Sequence, residues 1–211
     1  MAGRPWPSWL LVGPTGSGKT PLGDELEGRG FLGRRCVHFD FGANLRRLAA
    51  ALEPEPGFTA LELQSVRNSL ATGALFEARD LPMIVNILRS FAARKRLTSD
   101  SLFILNGLPR YKKQAESLAD VVAVERVVYL EAGAAVIRER IRLDPGGDRA
   151  TRADDGLEAV ERRLAAFCKR TVPLVSYYRE RGALIVEIPV TPSMTAAQAY
   201  QALIERLSID P

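Results

Sequence analysis

Apolar and polar positions along the chain switch between two periods. Short, nearly continuous apolar runs occur at residues 9–12, 36–39, 101–105, 125–130 and 183–188, each of strand length. The run SLFIL at 101–105 has no polar face and predicts a strand covered on both sides. Between these runs, apolar residues recur at helical spacing. A first helix is expected over 20–28, with Pro21 in its first turn and Gly28 and Gly30 closing it. Gly42 is expected to break the second strand, before a helix over 43–52 with Leu45, Leu48 and Leu52 on one face. A loop at 53–57 precedes a helix over 59–71, capped by Thr59, with Leu61, Leu63, Val66 and Leu70 apolar and Gly73 after it. Further helices are expected over 81–96, 112–119 and 132–143. A polar, glycine-bearing loop spans 144–155. Asp155 and Glu158 have capping-box spacing for a long helix that Pro173 should kink, and Thr195 caps the last helix. Strands alternating with helices mean a parallel sheet with helices on both faces.

The chain has 211 residues and is 46% hydrophobic, enough for one packed α/β domain. No apolar run approaches the ~18 residues of a membrane span, and the start lacks the apolar core of a secretory signal. Cys36 and Cys168 form no C-x-x-C pair, so two free thiols in a reducing cytoplasm are expected. One histidine and no Cys/His cluster argue against zinc. The net charge of +4 conceals a bias of 24 Arg against 5 Lys. Arg138, Arg140, Arg142, Arg149, Arg152, Arg162 and Arg163 crowd one stretch. Acidic residues between them favour a polyphosphate site over a nucleic-acid surface.

The chemistry begins at residues 13–20, Gly13-Pro14-Thr15-Gly16-Ser17-Gly18-Lys19-Thr20, which match G-x-x-x-x-G-K-[ST] at every specified position. The glycines let consecutive backbone N–H groups turn inward as an anion nest, and the helix after them points its positive end at the same place. Lys19 can reach β- and γ-phosphates, and the Thr20 hydroxyl can hold Mg²⁺.

Further segments, together spanning residues 9–207, resemble the adenylate kinase family of nucleoside monophosphate kinases. FILNGLPR at 103–110 resembles F-L-L-D-G-F-P-R, and Gln114 follows where adenine-specific members carry a glutamine. GANLR at 42–46, with Phe41 before it, resembles T-G-D-x-L-R, and GALF at 73–76 resembles G-x-L-V. Residues 152–164 resemble R-x-D-D followed by R-L, and TVPLVSYY at 171–178 resembles T-x-P-L-x-x-Y-Y. The resemblance implies a P-loop kinase domain over 1–211, a five-stranded parallel sheet flanked by helices. Its core would be 1–40, 78–143 and 154–211, with a small helical acceptor-binding insertion at 41–77 and a short lid at 144–153. It implies an ATP- and Mg²⁺-dependent transfer of the γ-phosphate to a nucleoside monophosphate, AMP first (ATP + AMP to 2 ADP), by a cytoplasmic monomer with no nucleic-acid or membrane partner. Lys19 and Thr20 would hold the donor phosphates and Mg²⁺. Arg46 and Arg110 would bind the acceptor phosphate, Gln114 its base, with Phe41, Phe76 and Gly107 lining that site. Arg140, Arg152 and Arg163 would surround the transferring group with Lys19 and Arg110. The TVPLVSYY stretch reads as packing, and one of Arg162 and Arg163 as a solvated face.

The chain departs from the family pattern at sensitive places. Thr15 replaces a proline and Thr20 a glycine. Phe41 stands for threonine, where it could stack on a base or block it, and Ala43 stands for aspartate. Asn106 replaces the aspartate that holds the Mg²⁺ shell, and a hard cation prefers carboxylate oxygens. Asp40, at the end of the neighbouring strand, could compensate. Two alternatives therefore stay open: a kinase of shikimate kinase type with a hydroxyl acceptor and Asp40 as base, and a nucleotide-binding regulatory protein with little catalysis.

Overall fold

A computed structural model of the chain describes residues 4–52, 55–74, 76–147 and 157–209. Five strands form one parallel sheet: β1 (Trp6–Val12), β2 (Cys36–Asp40), β3 (Leu102–Asn106), β4 (Val122–Glu131) and β5 (Leu184–Pro189). Their order is β2-β3-β1-β4-β5. The helices among the described residues are α1 (Lys19–Arg29), α2 (Phe41–Ala50), α3 (Ala60–Thr72), α4 (Leu81–Arg94), α5 (Lys112–Ser117), α6 (Ala134–Leu143), α7 (Leu157–Ala166), α8 (Pro173–Glu180) and α9 (Ala196–Ile209). None is long and apolar enough to cross a membrane. The expected α/β class and parallel five-stranded sheet are thus observed.

The strand period of two sorts the sheet into two cores. Leu10, Val12, Phe39, Phe103, Leu105 and Val127 face one side, covered by α2, α3, α4, α5 and α8. Trp9, Leu11, Leu102, Ile104, Val128 and Ile188 face the other, covered by α1 and α9. The chain leaves β1 through α1 on one face and leaves β3 through α5 on the other. That divergence opens a crevice beyond the carboxyl ends of β1 and β3, where open parallel sheets bind ligands.

Several local expectations need correction. β1 begins at Trp6, although Pro7 argues against a central strand. Trp6 and Pro7 pair only with β4, because pairing with β3 starts at Ser8, so the missing N–H costs no ladder bond on that side. Gly42 does not break the second strand. Asp40 ends it and caps α2, which starts at Phe41 with Gly42 in its first turn. Leu45 and Leu48 are buried as expected, but the helix stops at Ala50 and leaves Leu52 exposed; Leu61 is exposed too, while Leu63 and Val66 are buried. The kink expected at Pro173 is a π-helical turn, Phe167–Thr171, in which Val172 N–H donates to Phe167 O at 3.0 Å. Proline has no N–H and crowds the preceding turn, so the helix restarts at Pro173. Thr195 and Gln198 form a reciprocal cap for α9. The Asp155 cap and most of the expected lid, from 148 onward, lie outside the described residues.

Two glycines of α1 separate packing from propensity. A Cβ on Gly23 would stand 2.3 Å from Nε2 of the buried His38 ring, whereas one on Gly28 would meet nothing within 4 Å. Gly23→Ala should therefore destabilise by ~1–3 kcal/mol in urea denaturation. Gly28→Ala should stabilise by ~0.5–1 kcal/mol. Equal midpoints for the two variants would show that the His38 ring yields without cost.

Candidate active site

The loop between β1 and α1 folds as its glycines dictate. Gly16 and Gly18 take φ of 81° and 98°, values that L side chains rarely adopt. A Cβ on Gly13 would lie 2.9 Å from Leu130 O, so the backbone there is closely packed. Gly18 is the N-cap of α1 and supplies no side chain, which leaves the first-turn N–H groups facing the crevice. Lys19 Nζ donates to Gly13 O at 2.6 Å and Pro14 O at 2.7 Å, so its ammonium lies along the loop.

Beside the loop, three side chains from three elements converge. Thr20 Oγ1 donates to Asp40 Oδ2 at 2.6 Å. Asn106 Nδ2 donates to Asp40 Oδ2 at 3.1 Å and to Thr20 Oγ1 at 3.0 Å. Asp40 Oδ1 accepts from Ala43 N–H at 2.8 Å. Burial alone would push the Asp40 carboxyl up. The hydrogen bonds from Thr20 and Ala43, with His38 and Arg46 nearby, reverse that and hold it below its ordinary value, so it is a carboxylate at neutral pH. Behind the group, His38 Nε2 lies 3.5 Å from Asn106 Nδ2, and its Nδ1 is 2.9 Å from Asp24 Oδ1. Among the described residues no cluster of three His, Cys, Asp or Glu is placed to hold a metal. A magnesium ion needs less than that: one carboxylate, neutral oxygens and substrate phosphates suffice, and the Thr20–Asp40–Asn106 group offers the protein's share.

A cleft of ≈ 300 Å³ joins these parts. The loop, Thr20, Asp40 and Asn106 line it together with Gly107, Arg46, Arg110 and Arg163. The volume is at the lower end of the range for small-molecule sites. Burial lowers the Arg110 pKa; Asp40 offsets part of this and Arg163 adds to it. Arg110 is aimed by its own turn: Nε donates to Gly107 O at 2.8 Å, Gln114 Oε1 accepts from Arg110 N–H at 2.7 Å, and Thr171 Oγ1 donates to Arg110 O at 2.9 Å. Gly107 has φ of 81°, which lets the chain turn there.

The candidate residues thus fall into different places. Arg46, Arg110 and Arg163 share the cleft, while Arg162 is exposed and pairs with Glu158. Arg140 is buried, with Nε on Gly16 O at 2.9 Å and Nη1 on Thr191 O at 2.7 Å and Met194 O at 2.9 Å. It therefore ties the phosphate loop to the segment before α9. Phe41, Phe76 and Gln114 line a recess of ≈ 20 Å³ that shares Arg110, Leu45, Ser69 and Ala74 with the cleft. Arg152 lies outside the described residues. The sequence reading missed Thr171, which lines the cleft. The TVPLVSYY stretch otherwise packs: Leu174, Val175, Tyr177 and Tyr178 are buried. It also missed His38 behind Asn106; the one signal was that it stands two residues before Asp40.

No protein-family model matches the chain. An adenylate kinase of Stenotrophomonas maltophilia is 32% identical over 189 residues, covering 83% of this chain and 87% of that one. One from Rhodopirellula baltica is 29% identical over 196 residues, covering 90% of each. One from Treponema pallidum is 27% identical over 207 residues, covering 84% and 88%. Among solved structures, an unliganded sugar kinase from Janibacter superposes with a TM-score of 0.54 at 14% identity, covering 98% of this chain and 97% of that one, which is a likeness of fold.

The Asp40 geometry has a consequence in acid. Its carboxyl is held below the ordinary value, so its contribution to stability is present at neutral pH and is lost as the pH falls below ~4, through the lowered folded-state pKa. The stability difference between wild type and Asp40→Asn should therefore shrink between about pH 5 and pH 2, followed by denaturant midpoints. A pH-independent difference would mean that the carboxylate is not specifically held.

Proposed function

From the premise that the chain belongs to the adenylate kinase family, we propose that it moves the γ-phosphoryl group of ATP to a nucleoside monophosphate, with AMP as the first acceptor to test. The observation that carries this reading is the single cleft. The phosphate loop and three arginines from three different segments line it together. An oxygen of the acceptor phosphate attacks the γ-phosphorus. The bond from that phosphorus to the bridging oxygen breaks, and its electron pair leaves on ADP. The acceptor oxygen is already ionised, so no base is needed.

Each residue then has a physical task. The backbone N–H groups of residues 13–20 and Lys19 bind donor phosphates. Arg46 and Arg110 hold the acceptor phosphate, and Arg163 stabilises charge that grows on the transferring oxygens. Arg140 fixes the loop through the Gly16 carbonyl. Thr20 and Asp40, both held by the Asn106 amide nitrogen, would hold Mg²⁺, which when bound neutralises phosphate oxygens. The reading with a hydroxyl acceptor is the weaker one. It needs Asp40 as a proton acceptor, and a carboxyl held below its ordinary value is a poor base.

ADP release coupled to a reporter, with ATP and each common monophosphate, tests the proposal. Monophosphate-dependent turnover is expected. Arg110→Ala should lower kcat/KM for the acceptor by ~100-fold or more while the Kd for ATP changes by less than about threefold. ATP binding with no turnover on any monophosphate would leave a nucleotide-binding protein in place of a kinase. A second test concerns the metal. Asn106→Asp would set a carboxylate about 3 Å from Asp40. It should lower stability by ~1–3 kcal/mol without divalent cations. Millimolar Mg²⁺ should restore most of this loss in thermal unfolding, by binding the native state. If Mg²⁺ shifts wild type and variant equally, the ion is held elsewhere.

A further inference from the structure

On the reading above, the acceptor's phosphate meets Arg46, Arg110 and Arg163, and its base should enter the neighbouring recess. That recess opens off the cleft and measures ≈ 20 Å³, room for about one water molecule. Phe41 and Phe76 line it, with ring centroids 5.8 Å apart and planes at 69°.

Neither ring is free to step aside. Phe41 is 3% exposed and packs on Phe39 at 6.1 Å, which packs in turn on Phe91 and Phe103. It is thus the end of an aromatic chain in the larger core, and interiors packed to crystal density transmit displacement instead of absorbing it. Phe76 is held from the other side. Its carbonyl accepts from Tyr111 Oη at 2.7 Å. The Arg170 guanidinium lies 4.4 Å over the Tyr111 ring and reaches Glu77, next to Phe76, at 3.3 Å. Gln114 is committed as well: its Oε1 accepts from Arg110 N–H, so that oxygen is engaged in aiming the arginine.

We infer that this chain does not read the acceptor's base: the recess beside Arg110 presents Phe41 and Phe76 to it, the acceptor is held through its phosphate, and monophosphates of different bases are taken with similar efficiency. Strong discrimination between bases requires polar groups that a wrong base leaves unpaired. Here the inner wall is aromatic, and the Gln114 oxygen is already paired. Gln114 is accordingly a positioning residue for Arg110, not a reader of the base. The inference rests on the nucleotide-acceptor reading, which it deepens.

The test is initial rates at saturating ATP with AMP, GMP, CMP and UMP, on wild type and on Phe41→Thr. For wild type, the four kcat/KM values should fall within about tenfold of one another. Phe41→Thr opens the recess beside Gln114, and purine monophosphates should gain at least ~10-fold over pyrimidine ones, a change in ratio that general loosening would not produce. A wild-type spread wider than tenfold overturns the inference, whether or not the variant folds. Unchanged ratios in a folded Phe41→Thr protein overturn it too. Failure on all four acceptors by protein that binds ATP removes the nucleotide-acceptor reading and this inference with it; one strongly preferred base removes the inference alone.

Discussion

A triangle of hydrogen bonds holds the centre of the molecule together. Thr20 at the start of α1, Asp40 at the end of β2 and Asn106 at the end of β3 meet within 2.6–3.1 Å of each other. Asp40 and Asn106 are register partners on neighbouring strands, while α1 belongs to the layer above, and each element would otherwise end in a polar group facing the crevice. Their closure fixes how the phosphate loop sits over the sheet. It also explains why residue 106 is an amide. A carboxylate there would repel Asp40, whereas the amide donates to it and to Thr20 from one nitrogen. The negative charge is therefore present in the site, but it stands on β2, one strand away from where the family pattern puts it.

The arginine-rich stretch resolves into unlike parts once burial is considered. Arg140 is 4% exposed, and several backbone carbonyls share its guanidinium. Burying such a cation is expensive unless it is satisfied, and here the carbonyls join two segments far apart in sequence. Arg163 lines the cleft, and its neighbour Arg162 points to solvent, because successive residues on a helix face different ways. Spacing alone left open which of those two adjacent arginines reached the site; the helix's seating decides it.

What was legible in the sequence was whatever the backbone enforces. Gly16 and Gly18 sit at positive φ in a loop that only glycine fits comfortably, and the five apolar runs are the five strands. The misreadings come from context that a sequence does not carry. Pro7 is tolerated because β1 has a single partner at that point, and Gly42 is helical because Asp40 caps the turn around it. Leu52 and Leu61 carry helical spacing yet lie exposed. Gln114 and Thr171 stood within recognisable motifs, but their hydrogen bonds run to the Arg110 backbone, contacts that residue type does not announce. The cleft's lining comes from five separate segments, and only the fold decides which of them meet.

Phe41, a departure from the family pattern, stands next to Asp40, which compensates for another at Asn106, and the structure makes the neighbours one unit. Asp40 spends one carboxylate oxygen on Ala43 N–H, capping α2, and the other on Thr20 and Asn106. That double attachment fixes the backbone from which Phe41 projects, and so directs its ring against Phe76. A residue at 40 without an oxygen on both sides would loosen the cap and the ring together. The carboxylate on β2 and the closed recess therefore belong to a single local rearrangement at the head of α2. It leaves the phosphate loop as the sequence describes it and sets two aromatic rings in the recess beside Arg110, while Arg46, Arg110 and Arg163 still line the cleft.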